Sequence, residues 1–204
     1  MKKMKILSAL LAFAFAAPVA MADGGDGKIA FGPQGGLVFT NFDSDNDRVF
    51  NNTFDTDNGF MAGAFLEFGV WSVTLRPEAN YVQTKYTVAG SAEVKNKYLE
   101  IPLLLKVNPF ADSVVSPFIL VGASWSKHLS TDVTGATGTT LTQNFDGRNF
   151  WSGVAGLGVE FNVAENVGLN LQGRYNFGFD DVNEQGGRFR SRSIYALAGI
   201  SIQN

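Results

Sequence analysis

The stretch NKYLEIPLLLKVNPF, Asn96 to Phe110, is as apolar at its centre as a buried core, yet it carries Glu100 and Lys106. An unpaired charge in such surroundings is costly. A two-residue period resolves the conflict. On a strand, Leu99, Ile101, Leu103, Leu105 and Val107 share one face, while Tyr98, Glu100, Pro102, Leu104, Lys106 and Asn108 share the other. Both charges leave the apolar face together.

The same period recurs on either side. Phe60, Ala62, Ala64, Leu66, Phe68 and Val70 oppose Met61, Gly63, Phe65, Glu67 and Gly69. Val73, Leu75, Pro77, Ala79 and Tyr81 oppose Thr74, Arg76, Glu78, Asn80 and Thr84. Trp151, Ala155, Leu157, Val159 and Phe161 oppose Ser152, Gly156, Gly158, Glu160 and Asn162, and Leu169, Leu171, Tyr175 and Phe177 oppose Asn170, Gln172, Arg174 and Asn176. Past the first residues no long apolar face of helical period appears, which makes the chain all-β.

Eight strands follow from this pattern: 28–42, 58–70, 72–87, 93–108, 114–128, 148–163, 167–180 and 190–203. Their connections alternate, long at 43–57 and 129–147, medium at 88–92 and 181–189, and short around 71, at 109–113 and at 164–166. A soluble sandwich has no reason to gather its short turns at one end, whereas an outer-membrane barrel has periplasmic turns that are short, outer loops that are longer and an even strand count. Strands of about 11 to 16 residues exceed the 5 to 6 usual in globular sheets and are long enough to cross a bilayer at a tilt. The expectation is an eight-stranded antiparallel up-and-down transmembrane β-barrel, with both termini in the periplasm.

A bilayer-crossing sheet must close to satisfy its backbone, and closure at eight strands leaves an interior just wide enough for side chains. The face turned inward carries Glu67, Glu78, Glu100 and Glu160 beside Arg76, Lys106 and Arg174. This near-balance predicts an interior plugged by paired charges rather than an open pore. On that basis Glu100→Ala is expected to destabilise the barrel by leaving a buried base unpaired, and Asp45→Ala is not. Phe68, Trp71, Tyr81, Trp125, Trp151, Phe177 and Phe179, near strand ends, are expected to form interfacial girdles.

The opening MKKMKILSALLAFAFAAPVAMA has a basic start at Lys2, Lys3 and Lys5, an apolar run from Ile6 to about Ala17, and a small-residue Ala20-Met21-Ala22 end. About 12 apolar residues fall short of the ~20 a spanning helix needs. Residues 1–22 are therefore expected to be a cleaved signal peptide, with 23–204 as the barrel domain. Without a cysteine in the chain, a lipid-anchored product is excluded. Loss of three lysines would take the formal charge from -3 to -6. An acidic chain argues against a nucleic-acid partner, because phosphate binding needs a basic face.

The blocks YLEIPLLLKVN, SPFILVGASW, GVAGLGVEF and LNLQGRYNFGFDDV resemble the outer-membrane β-barrel domain of PorT-like proteins, common in Bacteroidetes. The resemblance runs from GPQGGLVFTNF to the last strand. It implies an eight-stranded barrel in the outer membrane and little about activity, although the founding type takes part in protein secretion.

Other chemistry is weakly signalled. His128 is the one histidine, which rules out a histidine-rich metal centre. Ser126, Ser130 and Asp132 lie near it in sequence, and some small barrels that modify lipid A use serine, histidine and an acid; a rim residue near lipopolysaccharide is the plainer reading, since a triad is a matter of geometry. DSDND at Asp43 to Asp47 opens like a calcium loop but has Arg48 and Phe54 where Gly and Glu are needed. Gly156-Leu157-Gly158 lacks the following helix of a dinucleotide loop, and its glycines would make room for larger inward neighbours.

Together these readings predict a small, closed, non-enzymatic envelope barrel without cofactor or metal, acting as a monomer. Its partners are expected to be outer-membrane lipids and lipopolysaccharide, with proteins reached through the loops, above all Asp43 to Asp57 and the Thr/Gly-rich Thr131 to Gly147. The rivals are an accessory of protein secretion, a lipid-A-modifying enzyme centred on His128, and a soluble ligand-binding barrel with its apolar face turned inward.

Overall fold

Alternation of apolar and polar residues over long segments yields strands that can satisfy their backbones only by pairing on both edges, and the chain does so by closing on itself. The computed structural model describes residues 27–44, 54–70, 72–88, 92–110, 113–135, 140–143, 149–179 and 189–203. The strands are β1 (Gly27–Ser44), β2 (Phe54–Val70), β3 (Val73–Val88), β4 (Ala92–Val107), β5 (Val115–Thr134), β6 (Thr140–Gln143), β7 (Asn149–Ala164), β8 (Val167–Gly178) and β9 (Phe189–Gln203). Their order is β4-β3-β2-β1-β9-β8-β7-β5, and antiparallel pairing of β4 with β5 closes the ring. β6 pairs with Thr131–Thr134 of β5. The wall is thus an eight-stranded antiparallel barrel.

Two features of this wall differ from the sequence reading. The fifth strand does not stop near residue 128, and the segment after it is not wholly irregular. β5 runs on to Thr134 and turns back as β6, with Thr134 Oγ1 and Thr140 Oγ1 3.0 Å apart. Threonine and valine favour extended backbone, but a hairpin with neither face buried leaves no apolar alternation to recognise.

The short connections 71–72, 108–114 and 165–166 all lie at one end, together with Gly27 of β1 and Gln203 of β9. The opposite end carries the connections 45–53, 89–91, 135–148 and 179–188. The two faces of the wall are inverted relative to a soluble domain. Leu103, Ile119, Leu157 and Leu171 stand exposed outside, while Arg76, Glu78, Lys106 and Arg174 are buried inside. Outward apolar and inward polar is the arrangement a hydrocarbon surrounding stabilises.

The interior also holds apolar side chains beside its charges. Leu104, Phe118, Leu120 and Val154 form one buried apolar cluster, and Val38, Met61, Val82, Tyr195 and Leu197 form another, against which Tyr98 packs. Gly158 gives the room this needs, because a Cβ there would run into the Phe118 ring. Gly156 does the same for Arg174, whose Cγ would lie 3.0 Å from an added Cβ. Of the expected girdle, Trp151, Phe177 and Phe179 are exposed on the outer face, and Tyr81 and Trp125 are partly so. Phe68 is covered by its neighbours, at 7 % exposure, and Trp71 lies outside the described residues.

Candidate functional site

The inward positions of five strands, β2, β3, β4, β7 and β8, bring seven charged side chains into the lumen, and all seven are buried: Glu67, Arg76, Glu78, Glu100, Lys106, Glu160 and Arg174. Six of them form a single alternating chain. Lys106 Nζ lies 2.7 Å from Glu160 and 3.1 Å from Glu67. Glu67 accepts from Arg76 at 2.6 Å, Arg76 donates through Nε to Glu78 at 2.7 Å, and Glu78 binds Arg174 at 2.6 Å. Arg174 grips Glu78 through both terminal nitrogens, the fork geometry that suits a carboxylate. Three acids and three bases therefore cancel along one connected path.

Neutral groups complete the coordination of this chain. Gln34 is its hub, donating to Glu78 at 2.7 Å and to Asn80 at 3.0 Å while accepting from Arg76 at 2.8 Å and Gln172 at 3.1 Å. Ser201 donates to Glu160 at 2.7 Å. The apolar lining also contributes, with the Arg76 guanidinium 3.7 Å above the Phe65 ring and Lys106 4.8 Å from the Phe118 ring. Such contacts are strongest where water is excluded, and Arg76 is fully shielded from solvent.

Glu100 departs from the expected scheme. Among the described residues its hydrogen-bond donors are Ser124 at 2.9 Å, Asn176 at 2.8 Å and Tyr195 at 3.0 Å, and none is a base. Removing Glu100 therefore strands no lysine or arginine; it strands three neutral donors. The sequence shows the net count of acids and bases but not their partners, because neighbours across a tilted barrel depend on register and stagger.

Gln34, Ser124, Tyr195 and Ser201 were not singled out by the sequence reading. The signal that could have found them is the same period of two, applied to β1, β5 and β9, where short runs of glycine, serine and alanine weaken it.

His128 does not assemble a triad. Its Nε2 lies 3.0 Å from Thr131 Oγ1, and its ring meets Tyr98 edge-on at 5.1 Å. Ser130 and Asp132 pair with Lys97 and Lys95 on the outer face of the wall, and Asp132 is held by Lys97 at 2.8 Å. The Lys97 hydrogen bond lowers the Asp132 carboxyl below its usual range. Of the acidic Asp43 to Asp47 stretch, Asp43 and Ser44 extend β1 opposite Arg190 and Phe189, and 45–47 lie outside the described residues. No group of three or more His, Cys, Asp or Glu residues able to hold a metal occurs among the described residues.

A family model described as "Outer membrane protein beta-barrel domain" matches residues 17–184, most of the chain and all but the last strand of the ring. The chain belongs to the outer membrane protein beta-barrel domain family. No curated protein matches it. Among solved structures, Neisserial surface protein A is 19% identical, with 85% of this chain and 97% of that one covered and a TM-score of 0.55. OprG of Pseudomonas aeruginosa is 14% identical over 88% of this chain and 98% of that one, at 0.54. The N-terminal β-barrel domain of Pseudomonas aeruginosa OprF is 10% identical over 89% and 100%, at 0.50. At these identities the likeness is one of fold: the same small barrel with a different sequence on it.

Proposed function

We propose that this small outer-membrane barrel is a closed, non-enzymatic envelope scaffold of the PorT-like, Bacteroidetes type, which holds its loops at the cell surface. The observation that carries the reading is the interior itself. A lumen crossed by the Glu160–Lys106–Glu67–Arg76–Glu78–Arg174 chain, with Arg76 and Leu104 at 0 % exposure, is in this reading closed to solute. In this reading the charges fasten the strands together, the short turns and both chain termini face the periplasm, and the connections 45–53, 135–148 and 179–188 meet the partners. Residues 1–22 serve as the export signal.

The test is a comparison of secreted and surface proteins in a deletion strain, its parent, and a strain carrying the barrel with its three long connections replaced by short turns. A scaffold leaves the exported set unchanged in all three and loses only a loop-bound partner in the third. Loss of many exported proteins, restored by the intact gene, would replace this reading with a role in secretion.

A further inference from the structure

Resting on the outer-membrane reading above, a second feature lies on the outside of the wall. On β3, β4 and β5 the outward face changes character at one height. Moving from the short-turn end, it is apolar through Leu75 and Tyr81 on β3, through Leu105, Leu103, Ile101 and Leu99 on β4, and through Ile119, Val121 and Trp125 on β5. The next rows are charged. Leu99 pairs with Lys127, Gln83 pairs with Lys97, and Lys85 pairs with Lys95. Residues directly opposite in a sheet share a face, so Lys85, Lys95, Lys97 and Lys127 form one belt across three strands.

The height of the belt is set by the wall below it. From Val107 to Leu99 is eight residues, or about 26 Å along the strand, and a tilt near 40° leaves roughly 20 Å across the bilayer, close to the apolar band of such barrels. The belt therefore lies where lipid headgroups begin. On β7 and β8 the same end presents Trp151 and Phe177 instead, with Phe179 just past β8.

Two acids are built into the belt. Glu93 bridges Lys85 at 3.2 Å and Lys95 at 2.7 Å, and Asp132 holds Lys97 at 2.8 Å. The lysine hydrogen bonds lower both carboxyls from their usual range, so they remain ionised at neutral pH. Asp57 also stands opposite Lys85 in the β2–β3 register, so four lysines against three acids leave a local charge of about +1, on a chain whose formal charge is -3. The lysine side chains of these pairs are 31 to 36 % exposed, and such shallow pairs exchange readily for a stronger acceptor. Phosphate is that acceptor, since it offers several oxygens and up to two charges to lysine ammonium groups. Like-charged lysines placed side by side, as Lys85 and Lys95 are, also gain most from a dianion between them.

We propose that Lys85, Lys95, Lys97 and Lys127 form a binding site for the phosphate groups of the lipopolysaccharide headgroup, fixing one glycolipid against the β3–β5 side of the barrel. The probe is lipid A carrying both of its phosphates, titrated onto the purified full-length protein in neutral detergent and read by native mass spectrometry. The account expects a bound lipid that weakens at least tenfold when its phosphates are removed. It expects the same loss in a Lys95→Gln/Lys97→Gln/Lys127→Gln variant, recovery of binding in the matching Lys→Arg variant, and no loss in Arg192→Gln, which removes a cation from β9.

Equal binding of the dephosphorylated lipid, or equal binding by the glutamine variant, overturns the site. So does inorganic phosphate competing as strongly as the lipid, which would make it a free-phosphate site, or a sulfated oligosaccharide binding through the same lysines while lipid A does not. Folding is followed separately by the faster migration of unboiled protein on a gel. Loss of that shift, or absence of the protein from the outer-membrane fraction, breaks the barrel reading rather than this one.

Discussion

Two buried regions of the lumen treat a carboxylate in opposite ways. Glu78 has two guanidinium partners, Arg76 and Arg174, in a chain whose charges cancel. Glu100, equally buried, is held by a serine, an asparagine and a tyrosine. The difference shows that a glutamate turned into a small barrel is not thereby half of an ion pair. In the first region, removing one partner leaves an uncompensated charge in a dry site. In the second, it leaves neutral donors whose loss is far smaller.

Substitutions can break this contrast or sharpen it. The largest effect is expected for Arg76→Met, which keeps much of the volume but deprives both Glu67 and Glu78 of a base. It should lower stability by about 3 to 5 kcal/mol, read as a fall in the urea midpoint of the protein refolded in lipid vesicles. Glu78→Gln should follow at about 3 kcal/mol, since it leaves the buried Arg174 guanidinium with neutral acceptors alone and Arg76 with Glu67 as its one carboxylate. Glu100→Gln should cost only about 1 kcal/mol, because an amide of the same shape keeps one acceptor for Ser124, Asn176 and Tyr195. A Glu100 variant as damaging as the Arg76 variant would erase the distinction between the regions. Lys97→Gln, at the exposed pair with Asp132, should leave the unfolding midpoint where it was, and a clear drop would show that the belt contributes to folding as well as lying on the surface.

The wall was largely legible because both its faces obey one rule. Residues 96–108 cannot hold Glu100 and Lys106 apart from five apolar neighbours in any other way, and the eight strands and their short-turn end follow from repeating that argument. The lumen was legible only as a list. Alternation places Glu67, Arg76 and Glu100 inside, but the partner of each depends on which residues stand level across the barrel. That is set by register shifts such as the one between Lys97 and Tyr98 opposite Ser130 and His128, which no local pattern marks. The two apolar clusters were hidden for a related reason. Met61, Phe65 and Leu104 sit on the same alternate positions as the charges and read as exceptions to a polar face, whereas Met61 clusters with Tyr195, Leu104 clusters with Phe118, and Phe65 lies under the Arg76 guanidinium. The β5–β6 hairpin was invisible because it buries neither face.

The central claim is that paired charges and apolar clusters fill the lumen. Its most direct test is the conductance of the purified, heat-shifting protein in a planar bilayer, with Arg76→Ser measured beside it. The account expects the wild type to show no stable open level, and any steps to appear only after Arg76 is removed. Persistent ohmic steps from the folded wild type would mean that water and ions pass where Arg76 and Leu104 are placed, and the closed-barrel account would be wrong.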